Sequence, residues 1–304
     1  MYFVSTPHSI NGTVIVPGSK SHTIRAVVIA TMAEGTSRIT NPLMSEDCLS
    51  AARVCRLFGA DVEMDKEGWT VKGTGGKLAT PDDVVDCGNS GTALYFVTAM
   101  ACLAEGWSVM TGDHQIRRRP ITPLLEGLVS MGASAFTTRG GKAAPALVKG
   151  PLKPGLVKFD GKLSQYVSAV LITAPYLDGT TRIELATPME KPYYDMTIEW
   201  MRSQGVTVNF DEKDYMWFEI PGNQKYTPVN KAIPSDWEGV AFPLAAAAIT
   251  DSTRKIANLD LEGTQGDAAI VDAFKAMGAD ITLDHADSSL TVRGGKVLHG
   301  ITID

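Results

Sequence analysis

The chain carries several short polar segments of the kind that binds anions, each standing before an apolar or amphipathic stretch. The first is Gly18-Ser19-Lys20-Ser21, with Arg25 one helical turn later. Free N–H groups at a helix N-terminus attract negative charge, and Arg25 can hold a carboxylate or phosphate through two hydrogen bonds. The spacing differs from that of a nucleotide-binding P-loop. The alternative is a solvent-exposed Lys20 and Arg25 beside an ordinary serine cap.

Two further segments, Gly88–Thr92 and Ser164–Tyr166, also precede apolar stretches. In the first, two glycines would let a ligand approach the backbone closely, although such a segment taken alone is more typical of a capped tight turn. In the second, Ser164 and Gln165 can hydrogen-bond a hydroxyl or a carboxylate, and serine is also a common helix cap.

Three consecutive arginines, Arg117 to Arg119, stand directly before Pro120 and a helix expected over Ile121–Val129. Positive charge at a helix N-terminus is unfavourable. These side chains therefore either point into solvent or hold an anion, and the sequence leaves both interpretations open.

The composition describes a globular chain rather than a nucleic-acid-binding, membrane or disulfide-stabilised one. The 304 residues are 44% hydrophobic and 20% charged, with a net charge of −6, which argues against binding to nucleic acids through bulk charge. No apolar stretch approaches the roughly 20 residues that a membrane span needs. The four cysteines lack paired spacing and predict reduced thiols in the cytoplasm, and no His/Cys cluster has metal-site spacing.

The sequence contains four copies of one unit, which places the polar segments in a common frame. Three columns of small residues mark the copies. They are formed by Gly59, Gly132, Gly205 and Gly278 at intervals of 73 residues, by Gly35, Gly106, Gly179 and Ser252, and by Gly73, Gly150, Gly222 and Gly294.

Each copy combines an apolar helix, a short strand, an amphipathic helix that ends at the glycine of the first column, and two strands with alternating patterning. The apolar helices are expected at Ser21–Met32, Ser90–Leu103, Ser164–Tyr176 and Trp237–Ile249. We predict an α/β (α+β) fold of repeated βαβαββ units with buried and surface helices. The proline-rich stretch Gly222–Pro234 is the expected linker between the third and fourth copies.

This organisation predicts one complete three-repeat domain, residues 15–228, and a partial second domain formed by residues 1–14 and 229–304. In the first three copies, polar groups occupy the same end of equivalent buried helices. Pseudo-symmetry would bring these ends together into a basic pocket lined by Ser, Asn and Gln. From the residues alone we infer a site for a phosphorylated metabolite, of unknown reaction.

The segments resemble those of the enolpyruvyl transferase family, and within it of the 5-enolpyruvylshikimate-3-phosphate synthases. The resemblance covers the whole chain and is carried by Gly18–Ala26, Gly88–Ala93, Arg117–Thr122, Ser164-Gln165 and Lys191–Thr197. Ser21 followed by Arg25 favours this branch over the sister branch that acts on UDP-N-acetylglucosamine, where Asn typically follows the lysine.

The resemblance implies two domains of three βαβαββ repeats that close on substrates, with the N-terminal strand belonging to the second domain. It implies transfer of the enolpyruvyl group of phosphoenolpyruvate to the 5-hydroxyl of shikimate 3-phosphate in aromatic amino-acid biosynthesis, with release of phosphate. It also implies that no metal or organic cofactor is needed. The partners would be these small molecules, with no nucleic acid and no membrane.

Site residues follow from the resemblance position by position. Lys20 and Gln165 are expected to contact both substrates and to act in catalysis. Ser21, Arg25, Ser164 and Tyr193 are expected to bind shikimate 3-phosphate, whereas Asn89, Gly91 and Arg119 are expected to bind phosphoenolpyruvate. Gly91 matches the family position at which added bulk excludes the herbicide glyphosate.

Three positions depart from the family pattern. Leu163 stands where a second serine precedes the glutamine, Glu190 replaces a serine before Lys-Pro-Tyr, and Tyr95 replaces an arginine. The first two departures concern the contacts to the shikimate phosphate, and the negative charge of Glu190 is expected to repel a phosphate.

The length sets one further expectation. Six repeats of 73 residues would need about 440 residues, so we expect this chain to lack two repeats and to have little or no activity alone. A complementing C-terminal fragment or self-association would then cover apolar helix faces such as Phe242–Ile249. The alternatives are a non-catalytic phosphometabolite-binding protein and the UDP-N-acetylglucosamine branch of the family.

Overall fold

A computed structural model of the chain describes residues 2, 4, 6 and 8–303. The helices are α1 (Lys20–Met32), α2 (Glu46–Leu57), α3 (Gly91–Ala101), α4 (Thr122–Ser130), α5 (Ser164–Thr173), α6 (Lys191–Ser203), α7 (Trp237–Ala248) and α8 (Ile270–Ala276). The strands are β1 (Gly12–Ile15), β2 (Thr36–Thr40), β3 (Asp61–Met64), β4 (Gly68–Lys72), β5 (Val85–Asp86), β6 (Ser108–Thr111), β7 (Ser134–Thr137), β8 (Ala146–Lys149), β9 (Leu156–Phe159), β10 (Thr181–Leu185), β11 (Asn209–Phe210), β12 (Trp217–Ile220), β13 (Asn230–Ala232), β14 (Thr253–Ala257), β15 (Asp280–Asp284) and β16 (Ser289–Arg293).

The strands in the described part of the chain form four small sheets with the same arrangement of strands. The sheets run β13-β2-β4-β3, β5-β6-β8-β7, β9-β10-β12-β11 and β1-β14-β16-β15. In each, the first two strands are parallel and the other neighbours are antiparallel. The predicted fold of repeated βαβαββ units is thereby confirmed.

In two of the four sheets the first strand comes from a distant part of the chain. β1 immediately precedes α1 yet pairs with β14, and β13 immediately precedes α7 yet pairs with β2. Each of these strands therefore completes a sheet other than the one that follows it in sequence.

Contacts divide the chain into a small unit, residues 1–19 and 234–304, and a large unit, residues 20–233. The chain passes from one unit to the other at two crossings, 19/20 and 233/234. Each crossing lies five residues after the corresponding predicted bound, 14/15 or 228/229. At the second crossing the reason is the pairing of β13 with β2 inside the large unit. At the first, Val16 packs with Trp237 and Val240 in the core of the small unit.

Helices α1, α3 and α5 form the interior of the large unit. Every residue of α3 is buried, as is every residue of α1 from His22 onward and of α5 apart from Gln165. Because these helices are apolar on all sides, they are stable only when surrounded. Helix α7 of the small unit is different, since Phe242 is 79% exposed and Ile249, directly after the helix, is 72% exposed.

The glycine columns of the repeat have two distinct physical causes. Gly59, Gly132, Gly205 and Gly278 follow α2, α4, α6 and α8 with φ between +84° and +97°, the backbone conformation that ends a helix and favours glycine. At Gly73, Gly150, Gly222 and Gly294, a Cβ atom would fall 1.8 to 2.2 Å from a backbone carbonyl oxygen. The second set is therefore required by close approach of two backbone segments.

Among the described residues, no helix is both long and apolar enough to cross a membrane.

Candidate anion site at the starts of three buried helices

The predicted site residues all lie in the large unit, and most of them are at the first turns of α1, α3, α5 and α6. Lys20 and Ser21 begin α1 and are half-buried, and Asn89 is half-buried in the turn between β5 and α3. Tyr193 lies in the first turn of α6, three residues after the αL residue Glu190 that precedes the helix. Helix starts present unpaired N–H groups, so this placement favours anionic ligands.

Arg25 ties the start of α1 to α6 from a buried position. The residue is 1% exposed. Its Nε donates to Thr197 Oγ1 at 2.9 Å, its Nη1 to the Ser21 carbonyl at 3.1 Å and its Nη2 to the Tyr193 carbonyl at 3.3 Å. The side chain also packs over the Phe96 ring, at 5.2 Å from Cζ to the centroid.

The three groups that accept hydrogen bonds from Arg25 are neutral, so none of them balances its positive charge. Burial, partly opposed by Tyr193, lowers the pKa of the Arg25 guanidinium to about 10. Since the acceptors are a hydroxyl and two carbonyls, the positive charge remains available to attract an anion to the helix starts. Thr197, the hydroxyl partner, lies in the Lys191–Thr197 motif, but sequence reasoning gave it no role.

Gly91 and Arg119 are brought together although they are 28 residues apart in the chain. A Cβ atom on Gly91 would lie 2.8 Å from Arg119 Nη1 and 3.6 Å from Arg119 Cδ. The guanidinium therefore lies directly over the first residue of α3. The absence of a side chain on Gly91 leaves the room that this position needs.

The segment that carries Arg119 is fixed by contacts from α3 and α5. The hydroxyl groups of Tyr95 and Tyr166 both donate to the Pro120 carbonyl, at 3.0 and 2.7 Å. The two rings pack edge to face with centroids 5.0 Å apart. Burial raises the pKa of both hydroxyls, so they remain protonated donors.

At the other end of this segment, the Asp113 amide donates to the Gly88 carbonyl at 2.8 Å. The Asp113 carboxylate accepts from the amides of Gln115 and Ile116. These hydrogen bonds connect the turn before α3 to the residues that precede the three arginines. The connection helps to hold Arg119 beside Gly91.

Gln165 connects α5 to α3. Its Nε2 donates to Thr92 Oγ1 at 2.6 Å, so the third polar segment contacts the second. Arg25 joins α1 to α3 through Phe96. The structure thus brings the three helix starts into one neighbourhood, while Thr92 and Tyr166 are participants that sequence reasoning missed. The sequence indicated them only by position, since Thr92 directly follows Gly91 and Tyr166 directly follows Gln165 within the same motifs.

Ser164 has an acidic partner at the start of α5. Its backbone amide and its Oγ donate to Glu190 Oε2, at 2.9 and 2.7 Å. Glu190 has a positive φ of 55° and makes no side-chain bond to its own helix α6. The carboxylate therefore occupies the anion position that the N-terminus of α5 offers.

A buried histidine stands beside the predicted residues. The Trp200 indole donates to His22 Nδ1 at 2.9 Å, so Nε2 carries the proton of the neutral ring. His22 Nε2 is buried, and none of the described residues makes a hydrogen bond to it. Burial first, and the positive charge of Arg25 second, lower the pKa of His22 to about 4.

Comparison with known proteins assigns the chain to a family. A family model described as EPSP synthase (3-phosphoshikimate 1-carboxyvinyltransferase) matches residues 4–304. The chain belongs to the EPSP synthase family. This agrees with the resemblance carried by the sequence motifs.

The EPSP synthase family members most similar to this chain include proteins of bacteria and archaea. A 3-phosphoshikimate 1-carboxyvinyltransferase of Ruminiclostridium cellulolyticum is 40% identical over 304 residues, which is 100% of this chain and 71% of that protein. One of Methanosarcina mazei is 42% identical over 298 residues, 97% of this chain and 69% of that protein. The solved EPSP synthase of Acinetobacter baumannii superimposes with a TM-score of 0.85 at 27% identity, over 97% of this chain and 68% of that structure.

Proposed function

We propose that the chain takes part in the transfer of the enolpyruvyl group from phosphoenolpyruvate to the 5-hydroxyl of shikimate 3-phosphate, with release of phosphate. Its relatives carry the name of this activity at 40% identity. The observation within the structure that best supports it is the convergence of three helix starts on one basic site, with Arg119 over Gly91 and Gln165 bonded to Thr92.

The residues of the site divide between the two ligands in this proposal. Arg119, Asn89 and the backbone at Gly91 bind phosphoenolpyruvate, whose carboxylate and phosphate match a guanidinium and free helix amides. Ser21, Arg25, Ser164 and Tyr193 bind shikimate 3-phosphate. Arg25 and Ser164 are each 1% exposed, and buried donors stabilise negative charge strongly because little water competes with them.

Lys20 and Gln165 act on both ligands in the same proposal. The 5-hydroxyl oxygen loses its proton as it forms a bond to the enol carbon that carries the phosphate, and the enol methylene gains a proton to become a methyl group. The tetrahedral intermediate then eliminates phosphate as this methyl group loses a proton, which restores the double bond. Lys20, at the first residue of α1, supplies a positive charge for that phosphate. Gln165 donates to oxygen atoms of either ligand from the start of α5. No step in this scheme needs a cofactor.

Calorimetry with shikimate 3-phosphate, followed by addition of phosphoenolpyruvate, tests the assignment. We expect binding of shikimate 3-phosphate to the large unit, weakened about tenfold or more by Lys20→Met. The matched control is Lys162→Met, which removes an exposed lysine. Absence of heat at millimolar ligand would exclude the substrate-binding role. Binding without phosphate release, even with excess phosphoenolpyruvate, is the result expected of the chain alone. If addition of a fragment corresponding to the remaining part of its relatives did not restore phosphate release, a non-catalytic phosphometabolite-binding role would be favoured.

Titration with UDP-N-acetylglucosamine tests which of the two branches of the enolpyruvyl transferase family the substrate preference of this chain follows. We expect no binding, since the relatives cited above carry the name of the shikimate enzyme and Ser21 and Arg25 carry its motif. Tighter binding of the UDP-sugar than of shikimate 3-phosphate would reverse the assignment.

We further propose that another polypeptide surface covers the exposed side of α7, where Phe242 and Ile249 are 79% and 72% exposed. The chain spans about 70% of the length of its relatives, and the remaining part of such a protein is the proposed occupant. Addition of a fragment corresponding to that part should produce a 1:1 complex by native mass spectrometry. Self-association of the chain alone, abolished by Phe242→Ser, would instead indicate a second copy.

We also propose that the chain works in the cytoplasm. Its four cysteines, Cys48, Cys55, Cys87 and Cys102, are free and buried, as is usual in a reducing compartment. Fractionation of the source cells with an antibody against the chain tests this, and recovery from the membrane or secreted fraction would contradict it.

A further inference from the structure

The start of α5 already holds a negative charge that belongs to the protein itself. Glu190 Oε2 accepts hydrogen bonds from both the amide and the hydroxyl of Ser164. Hydrogen bonds to a carboxylate are shorter and stronger than those between neutral groups. In addition, the N-terminal end of the helix dipole favours the carboxylate. Ser164 is therefore fully engaged by an internal partner.

This contact is maintained from a strained backbone position. Glu190 has φ 55° and ψ 39°, the left-handed region that non-glycine residues seldom occupy, at a cost of order 1 kcal/mol or more. Burial does not hold it there, because Glu190 as a whole is exposed. Its side chain therefore has space to move away from Ser164 into solvent.

A phosphate and the Glu190 carboxylate compete for the same two donors. A phosphate placed on Ser164 would lie within a few ångströms of the carboxylate, and two negative charges at that separation repel. Binding of a phosphate at this position hence requires Glu190 to leave Ser164 and lose its two hydrogen bonds. Ligands without a phosphate meet no such requirement.

We propose that Glu190 is a specificity-determining residue that acts as an internal competitor for the phosphate of shikimate 3-phosphate. This rests on the proposed function, in which Ser164 binds that phosphate. Glu190 lowers the affinity for shikimate 3-phosphate. It thereby reduces the ratio of that affinity to the affinity for shikimate, which has a hydroxyl where shikimate 3-phosphate has the phosphate. The carboxylate leaves Ser164 when the phosphate arrives.

The test compares the affinities of shikimate 3-phosphate and shikimate by calorimetry. We expect Glu190→Ser to tighten shikimate 3-phosphate at least tenfold, or about 1.4 kcal/mol, and to leave shikimate within twofold of the original protein. Glu190→Gln keeps the size of the side chain and removes its charge, and we expect a smaller gain of the same sign. Glu105→Gln is the matched control, because it neutralises an exposed glutamate beyond the other end of α3.

The outcomes separate this proposal from the proposed function. Equal or weaker binding of shikimate 3-phosphate by both Glu190 variants would overturn the role of Glu190 and leave the substrate assignment standing. An equal gain in affinity for shikimate 3-phosphate in Glu105→Gln would show that the net charge of the protein causes the gain. That result would also overturn the role of Glu190. Failure of the original protein and of every variant to bind shikimate 3-phosphate would overturn both proposals.

Discussion

Arg119 Nη1 lies 2.8 Å from the point where a Cβ atom of Gly91 would stand. The first residue of a buried helix and the last arginine of a three-arginine segment thus share one small space. A ligand held by the free amides of α3 would contact the guanidinium as well. The size of the residue at position 91 and the position of the Arg119 charge are therefore coupled.

The first prediction follows from this coupling. Gly91→Ala should displace the guanidinium and weaken phosphoenolpyruvate binding about tenfold, measured by calorimetry in the presence of shikimate 3-phosphate. The free energy of unfolding should change by less than about 1 kcal/mol, since the atom that must move is the end of a flexible side chain. Gly141→Ala is the control, because in the described part of the chain no atom beyond the two neighbouring residues lies within 4 Å of the added methyl group. An equal loss of affinity in both variants would contradict the prediction.

The second prediction concerns the pair of tyrosine hydroxyls on the Pro120 carbonyl. Tyr95→Phe and Tyr166→Phe each remove one donor and leave the other, so each should lower the free energy of unfolding by about 1 kcal/mol or less. The double variant should cost more than the sum of the single variants, because only then does the carbonyl lose both protein donors. Urea unfolding of the four proteins measures the coupling. Strict additivity would show that the two bonds act independently.

The third prediction concerns Arg25 as the connection between α1 and α6. Arg25→Lys keeps the charge but cannot donate along the three directions used toward Thr197, Ser21 and Tyr193, because an ammonium lacks the planar fork. We expect a loss of about 2 kcal/mol or more in stability by urea unfolding. Arg118→Lys, at an exposed site in the arginine segment, should change it by less than about 0.5 kcal/mol. Similar losses in both would mean that the fork geometry is unimportant.

The fourth prediction is a dependence of stability on pH that originates at His22. Its pKa is about 4 in the folded protein, against the ordinary histidine value of 6.5. Between these two pH values the unfolded chain therefore binds a proton that the folded chain excludes. The contribution of the neutral His22 to the free energy of unfolding is fully present above pH 6.5. It is lost as the pH falls toward 4, by about 3 kcal/mol in total. The charged groups that face the ring are Arg25, Glu199 and Lys231.

Chemical unfolding at pH values from 7 to 4.5 measures this dependence. His22→Asn keeps an acceptor for the Trp200 indole but does not titrate, so the slope over this range should become shallower. An unchanged slope in the variant would assign the acid sensitivity to other groups.

Much of the architecture is visible in the linear pattern of residues. The 73-residue glycine column marks the ends of α2, α4, α6 and α8, because a helix terminus requires a positive φ at one position. The apolar stretches predict the buried helices α1, α3 and α5 with bounds correct to within a few residues. Helix α6 begins at Lys191, and Pro192 fits the first turn of a helix.

Some features could not be inferred from local patterns. The short strands β1 and β13 each stand before one helix and pair in a sheet with another part of the chain. A strand of three or four residues carries no information about its distant partner. The domain bounds predicted from the repeat therefore lie five residues before the bounds of the two units that the contacts define. The roles of Thr92, Tyr166 and His22 also depend on contacts between separate helices.

The amino-acid sequence by itself determined the repeat, the interior and surface helices and the polar segments at the helix starts, because these depend on periodicity, end-capping and residue type over short distances. Only the tertiary structure decided which of those segments meet. It set Arg119 over Gly91 and Gln165 on Thr92, and it set the carboxylate of Glu190 on Ser164. The sequence showed an unexpected acid at position 190, but its hydrogen bonds depend on a left-handed backbone angle and on the packing of α5 beside α6.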